Sequence, residues 1–303
     1  MSSNLRFTNQ IASPGSPQGA PVATARNLWN AAGFQAAALA GTAIWLEAGA
    51  NYRRYFNVAN LASDFEARDR TIQGTRIFKK RVDKNARPYI AETGSTTSLP
   101  AFGFGTASLD GLTRNGGDNG AIVDQLGGCF STGGLSQSVL FYVPSGAGTI
   151  YGMTFGAGAG SWIFSSFGTH PNECYLYIDP STGYLTFSTQ YTRGVDLAYN
   201  VDCRGAWHQV DIITNPTGSA TADLAAHTAI MKVDGTTVVT NSSYTTDFDT
   251  GTGSKQLQIG ALGAAYTSGN GLQGFVKSYL QIPGTVFVNA SVSSLLRAHQ
   301  LSL

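Results

Sequence analysis

The chain has 303 residues, 37 of them glycine, with 12% charged residues and a formal net charge of +1. That length supports one large core with a smaller appendage, and the composition argues against a helical bundle and for many short strands joined by tight turns. The net charge excludes little, but its distribution says more: residues 1–92 hold 12 Lys/Arg against 6 Asp/Glu, and the rest holds 7 against 12. A basic N-terminal part and an acidic C-terminal part are expected to face different partners.

In chain order, Met1-Ser2-Ser3-Asn4-Leu5-Arg6 leads to Ser13-Pro14-Gly15-Ser16-Pro17 and not to an apolar segment. Export by a secretory signal is therefore not expected, and the first 20 or so residues read as an extended arm. From Thr24, the positions Leu28, Ala32, Ala36, Leu39, Ala43 and Leu46 fall near helical spacing and predict a packed helix. The span 31–46 is Ala- and Gly-rich and contains Gln35, so it falls short of a membrane helix. Asn51-Tyr52-Arg53-Arg54-Tyr55-Phe56 and Thr75-Arg76-Ile77-Phe78-Lys79-Lys80-Arg81 mix aromatic with basic residues, as protein interfaces do. Lys79, Lys80, Arg81, Lys84 and Arg87 would suit nucleic acid, but no nucleic-acid motif surrounds them, and a solvated surface is the simpler reading.

Residues 1–92 are thus expected to be a docking and oligomerisation region. Thr93-Gly94-Ser95-Thr96-Thr97-Ser98, with Leu99, reads as a linker, and residues 100–303 as the β domain. Its strands are predicted at Val139–Val143, Ile150–Phe155, Trp162–Phe164, Cys174–Ile178 and Tyr184–Ser188, the last two joined by Asp179-Pro180-Ser181-Thr182-Gly183. Ala206–Ile213 alternates, so His208, Val210 and Ile212 share one face and Trp207, Gln209 and Asp211 the other. Ala229–Val233 and Thr236–Val239 flank Asp234-Gly235, a two-residue hairpin turn. Leu257–Gly260 and Phe275–Ile282 complete the set. The three cysteines, Cys129, Cys174 and Cys203, lack metal-ligand spacing and cannot all pair within one chain, so reduced, buried thiols are expected.

Trp207-His208-Gln209-Val210, then Val233-Asp234-Gly235, Gln258-Ile259-Gly260 and Gly274-Phe275-Val276, in this order, resemble the C-terminal half of laminin-G-like domains. Those domains belong to the concanavalin A-like lectin and glucanase group, and the resemblance covers roughly residues 102–296. It implies a mainly β, two-sheet antiparallel jelly-roll sandwich behind a partly helical or extended N-terminal region. It also makes Trp207-His208 a framework feature.

Such folds host both binders and glycosidases, so the chemistry must be sought separately. The glycosidases of the group carry E-x-D-x-E on one strand, which aims two carboxylates into one cleft. Asp64-Phe65-Glu66 lies outside the β domain, and Asp247-Phe248-Asp249 has no third carboxylate; no enzyme is expected. The resemblance also implies calcium as the one candidate cofactor, and Asp110, Asp118, Asn119 and Asp124 are the best acidic group for it, although they do not follow the EF-hand pattern. For sugar, Trp162, Tyr191 and Tyr266 could stack on rings while Asn270 and Asp249 bond hydroxyls. Tyr266 leads, because Trp162 reads equally well as core.

A lectin-like module on a chain with an attachment-like N-terminal part resembles tailed-phage appendage proteins. The resulting expectation is a non-enzymatic virion protein, a fibre, spike or capsid decoration made in the host cytoplasm. Residues 1–92 would contact other virion proteins, the chain would form a homo-oligomer (a trimer by analogy), and the β domain would bind host surface glycan. The alternatives are a secreted or surface carbohydrate-binding adhesin and, third, a divergent glycanase.

Overall fold

The computed structural model describes residues 134–150, 153–155, 162–167, 174–189, 196–215, 224–242, 256–260 and 272–301. Before them it describes residues 28, 31–32, 44–47, 52–54, 65–68, 77–80, 102–104 and 112–114. The early strands are β1 (Ile44–Glu47), β2 (Tyr52–Arg54), β3 (Phe65–Arg68), β4 (Ile77–Lys80), β5 (Phe102–Phe104) and β6 (Leu112–Arg114). Then come β7 (Leu135–Tyr142), β8 (Gly148–Ile150), β9 (Met153–Phe155), β10 (Trp162–Phe167), β11 (Cys174–Ile178) and β12 (Leu185–Thr189). The last are β13 (Asp196–Tyr199), β14 (Trp207–Asn215), β15 (Thr228–Val233), β16 (Thr236–Asn241), β17 (Gln256–Ile259) and β18 (Gly274–Pro283). A 3-10 turn (Val286–Val288) leads into helix α1 (Ala290–Leu301).

These strands form two antiparallel sheets and a small hairpin. The first sheet runs β1-β18-β7-β14-β15-β16, with β5 also on β18; the second runs β13-β12-β11-β10-β17-β6-β4-β3-β2; β8 pairs with β9. The expected mainly β, two-sheet sandwich is therefore present. Both sheets take strands from before as well as after residues 93–99, because β1 adds to β18 and β4 to β6. Residues 93–99 themselves lie outside the described residues.

The core follows from alternation. In β11, Cys174, Leu176 and Ile178 are buried while Tyr175 and Tyr177 are half-buried, the period of a strand with one face inward. Leu185, Phe187 and Leu197 continue that inner face and meet Val139, Phe141, Val210, Ile212, Met231 and Tyr279 of the first sheet in one cluster. Phe164 of the second sheet touches Tyr279 of the first edge to face, with ring centroids 5.3 Å apart. Cys174 and Cys203 are buried in this core, and burial raises the Cys203 thiol to about 11, which keeps it protonated and unreactive.

The other face of the first sheet is covered as well. Ile213, Leu280 and Ile282 pack against Phe287, Val292 and Leu296, with Leu28, Ala32 and Leu224 beside them. Asn289 starts α1: its Oδ1 accepts from the Ser291 N–H at 3.0 Å and the Val292 N–H at 3.3 Å, the N-cap arrangement. The alternation of β14 by itself predicts a half-buried strand, and that expectation needs correcting. Its faces alternate as expected, but Gln209 and Asp211 are fully buried too, because the sequence pattern of one strand does not reveal a helix laid over its polar side.

Those buried polar groups pair with one another and with α1. Asp211 accepts from Ser138 Oγ at 2.7 Å and Gln209 Nε2 at 2.9 Å; Ser278 Oγ donates to Gln300 Oε1 at 3.0 Å, and Gln300 Nε2 to Ser138 Oγ at 3.1 Å. Lys232 Nζ donates to the Phe287 carbonyl at 2.7 Å. Burial raises the Asp211 pKa despite these hydrogen bonds and the nearby Lys232 and Arg297 charges.

Asp234 and Gly235 have φ of 53° and 83°, the two positive values of a type I′ hairpin turn, as the sequence predicts. The expected strand Ile150–Phe155 is instead a hairpin, with Ile150 facing Met153. At the N-terminal end, Ala32 N–H donates to the Leu28 carbonyl at 2.9 Å, one helical bond of the predicted stripe. Leu46, the last position of that stripe, lies in β1 opposite Tyr279; Ile44 and Trp45 favour a strand, and β18 supplies the hydrogen-bonding edge. Among the described residues, no helix is long and apolar enough to cross a membrane.

Candidate functional site

With the first sheet covered by α1, the outer face of the second sheet is the surface on which alternation leaves aromatic and polar side chains together. Trp162 opens β10 opposite Tyr177, and Phe164 sits opposite Leu176, so the strand carries an irregularity at Ile163. Such a bulge re-aims the neighbouring side chain. Ile163 and Phe164 are both fully buried inward while Trp162 stays half-buried. Its indole lies between two tyrosines, 4.7 Å from the Tyr175 ring at 81° and 4.8 Å from the Tyr177 ring at 50°.

The same face continues across β12 and β13. Tyr177 faces Thr186 and Tyr175 faces Ser188; Thr186 faces Ala198 and Ser188 faces Asp196. Ser188 Oγ donates to Asp196 Oδ1, and Asp196 is exposed on the edge strand. Burial first, and the Asp179 charge second, push the Tyr177 hydroxyl pKa up. It therefore remains a hydrogen-bond donor across the neutral range. The arrangement is a shallow aromatic platform flanked by hydroxyl donors and a carboxylate acceptor.

A rigid turn borders it. Asp179 Oδ1 accepts from the Ser181 hydroxyl at 2.5 Å, the Ser181 N–H at 2.8 Å and the Thr182 N–H at 2.9 Å, and these bonds hold its pKa down at about 2. Gly183 has φ of 74°, and a Cβ there would fall 1.8 Å from Asp202 Oδ1. Asp202 in turn grips Arg204 through Nε at 2.8 Å and a terminal nitrogen at 2.7 Å, while Arg204 donates to the Pro180 carbonyl at 2.6 Å.

Of the sequence-predicted sugar contacts, Trp162 is on this platform. Tyr191, Asp249, Tyr266 and Asn270 lie outside the described residues, as do the calcium candidates Asp110, Asp118, Asn119 and Asp124. The sequence reading does not single out Tyr175 and Tyr177, although Cys-Tyr-Leu-Tyr-Ile places them on one side of a strand. His208 is held structurally: Nδ1 lies 2.7 Å from Asp234 Oδ2, and Asp234 Oδ1 accepts from Arg297 of α1 at 2.9 Å.

Neither a family model nor a curated protein sequence matches this chain. Solved structures do match in fold. A receptor-binding domain superimposes with a TM-score of 0.52 at 10% identity, over 86% of this chain and 51% of that one. The botulinum neurotoxin serotype D/C binding domain gives 0.51 at 12% identity, over 86% and 53%. The binding domain of botulinum neurotoxin DC in complex with SialylT gives 0.50 at 11% identity, over 86% and 52%. The chain spans about half the length of these solved chains, and at such identities the likeness is one of fold.

Proposed function

We propose that this chain is a non-enzymatic glycan-binding protein whose sugar-contacting surface is the Trp162–Tyr175–Tyr177 face of the second sheet. The observation that carries the reading is the trio itself: three aromatic rings on the outer side of a sheet whose inner side is already filled by Leu176, Ile178 and Phe187. Sugar rings stack their C–H faces on such surfaces, and Thr186 and Asp196 offer hydroxyl-reading groups on the neighbouring strands. The fold likeness to toxin binding domains, one of them solved with SialylT, agrees with a binding role at the level of fold alone.

A binder is also favoured by how the carboxylates are used. Asp179 closes a turn, Asp202 grips Arg204, Asp211 is bonded to Ser138 and Gln209, Asp234 holds His208 and Arg297, and Asp196 accepts from Ser188. Each of these aspartates has a framework partner, and the exposed Asp196 keeps its second oxygen for a ligand.

We further propose that the domain is displayed on a phage virion, with the N-terminal part attaching it to other virion proteins. Support for this setting comes from the basic excess of residues 1–92 and the laminin-G-like sequence order. A shallow platform binds one sugar weakly, and repeated copies on a particle raise the overall strength through effective concentration. The test is a glycan array and a host-cell binding assay with the purified full chain, free and clustered on beads. Retained glycans whose binding falls in Trp162→Ala support the reading; a blank array and blank cells for the clustered protein reject it.

A further inference from the structure

A second constellation lies at one end of the first sheet, outside the platform. Trp207, Tyr142 and Phe275 face one another across β14, β7 and β18, with ring centroids 5.7 Å apart for Tyr142–Trp207 and 6.2 Å for Tyr142–Phe275. Phe155 of β9 closes on Phe275 at 5.3 Å. The register of β18 shifts between Val276 and Ser278, which makes Lys277 the extra residue. Lys277 as a whole is 7% exposed, and its Nζ stands 4.6 Å over the Trp207 ring.

Lys277 differs from Arg204, Arg297 and Lys232. Arg204 has Asp202, Arg297 has Asp234, and Lys232 has the Phe287 carbonyl, Ser293 and the nearby Asp211 charge. Among the described residues, Lys277 has the indole face and no hydrogen-bond acceptor or counter-charge. An ammonium partly withdrawn from water with no anion beside it is costly to keep, and an aromatic face compensates only part of that cost.

We propose that Lys277 and Trp207 form a subsite for a carboxylate, specifically the acid group of an acidic sugar. A single ammonium with no second cation beside it among the described residues matches a monoanion; a phosphate monoester calls for more donors and more positive charge. The half-buried Trp207 and Tyr142 supply apolar surface for the ring that carries the acid. Burial alone depresses Lys277 to about 8, so at neutral pH it is charged, and an arriving carboxylate would restore its ordinary affinity for the proton. The choice of a sugar as carrier rests on the glycan-binding reading; the carboxylate preference rests on Lys277 itself.

The test uses the full chain grown with ¹³C-lysine, in which the Cε resonance of Lys277 is assigned by its loss in Lys277→Met. At neutral pH, sodium glucuronate should move that resonance and raise its titration midpoint by about one unit, while glucose at the same concentration leaves it in place. Lys277→Met, which keeps an apolar stem of similar length, should bind glucuronate about tenfold more weakly. The proposal is overturned if glucuronate leaves the resonance unmoved, if glucose moves it equally, if inorganic phosphate moves it and glucuronate does not, or if Lys277→Met binds glucuronate as tightly as the parent. Neutral-sugar binding that depends on Trp162 is read separately on the same samples. Failure of the platform and failure of the Lys277 subsite therefore give different results.

Discussion

The Trp162 indole meets the Tyr175 ring nearly edge-on, with centroids 4.7 Å apart and planes at 81°. That pairing fixes the tryptophan as part of a surface while leaving it half-exposed. Truncating it should therefore affect binding more than folding. Trp162→Ala is expected to weaken any bound neutral glycan by about two- to tenfold, because ring stacking is worth roughly 0.5–1.5 kcal/mol. Far-UV circular dichroism and the thermal midpoint should show a folded domain. Titration calorimetry on parent and variant checks this; unchanged affinity would remove Trp162 from the contact surface.

Phe164 and Tyr279 join the two sheets through a fully buried edge-to-face contact. Phe164→Ala should cost about 3–5 kcal/mol, since the gap opens in the middle of the sandwich where neither sheet can collapse freely. Tyr279→Phe keeps the ring and removes a hydroxyl that accepts from Gln137 Nε2 at 2.8 Å and donates to Gln281 Oε1 at 2.8 Å. Leaving those two buried amides with fewer partners should cost about 1–3 kcal/mol. Denaturant unfolding of the two variants separates the packing effect from the polar one.

The sheets and their tight turn are legible in the sequence because local patterning carries them. Cys174-Tyr175-Leu176-Tyr177-Ile178 forms the strand it predicts, and Asp234-Gly235 forms its turn with both φ values positive. What covers a strand is a long-range fact. Gln209 and Asp211 look like a solvent face until α1, some 80 residues further on, closes over them with Arg297 and Gln300. The same limit applies to the platform: Trp162 reads as core or contact with equal ease, and only the pairing of β10 with β11 brings it between Tyr175 and Tyr177. Tyr52-Arg53-Arg54 and Ile77-Phe78-Lys79-Lys80 read as interface by composition, and composition does not show that their backbones pair as β2 and β4 in the second sheet.

Asp234 links the hairpin turn to α1 through Arg297, and its side chain also accepts the Gln209 N–H at 3.1 Å. A double-mutant cycle with Arg297→Ala and Asp234→Asn, which preserves tolerance of positive φ, should return a coupling of about 1 kcal/mol for this part-exposed pair. Burial raises the Asp234 pKa, but the His208 hydrogen bond, the Gln209 N–H and the charges of His208 and Arg297 outweigh it and lower the net value. A carboxylate depressed in the folded state stabilises above its unfolded pKa, and that stabilisation is lost as pH falls through the folded value. The coupling should therefore persist at pH 7 and fade below about pH 4. A coupling that stays unchanged from pH 7 down to the onset of acid unfolding would mean that the link does not depend on the charge of Asp234.

Lys277 gives the opposite pH signature. Burial lowers its pKa from 10.5 to about 8, so between those two values the unfolded chain holds a proton that the folded chain has released. Stability of the parent protein should then rise with pH across that window, and the full penalty should be present below about 8. The shift marks a penalty on the charged form, reduced by the solvent that still reaches the ammonium. The contact with the Trp207 face, 4.6 Å from Nζ, is worth about 0.5–2 kcal/mol and is lost with the ammonium. Lys277→Met should consequently be slightly more stable than the parent at pH 7, by about 1 kcal/mol at most. Its advantage should shrink as pH rises and vanish near 10.5. Urea unfolding of the two proteins from pH 6 to pH 11 measures the difference directly. A variant less stable than the parent at pH 7 would show that Lys277 already has a counter-charge in the free protein, and a difference flat in pH would show that its ammonium is not desolvated.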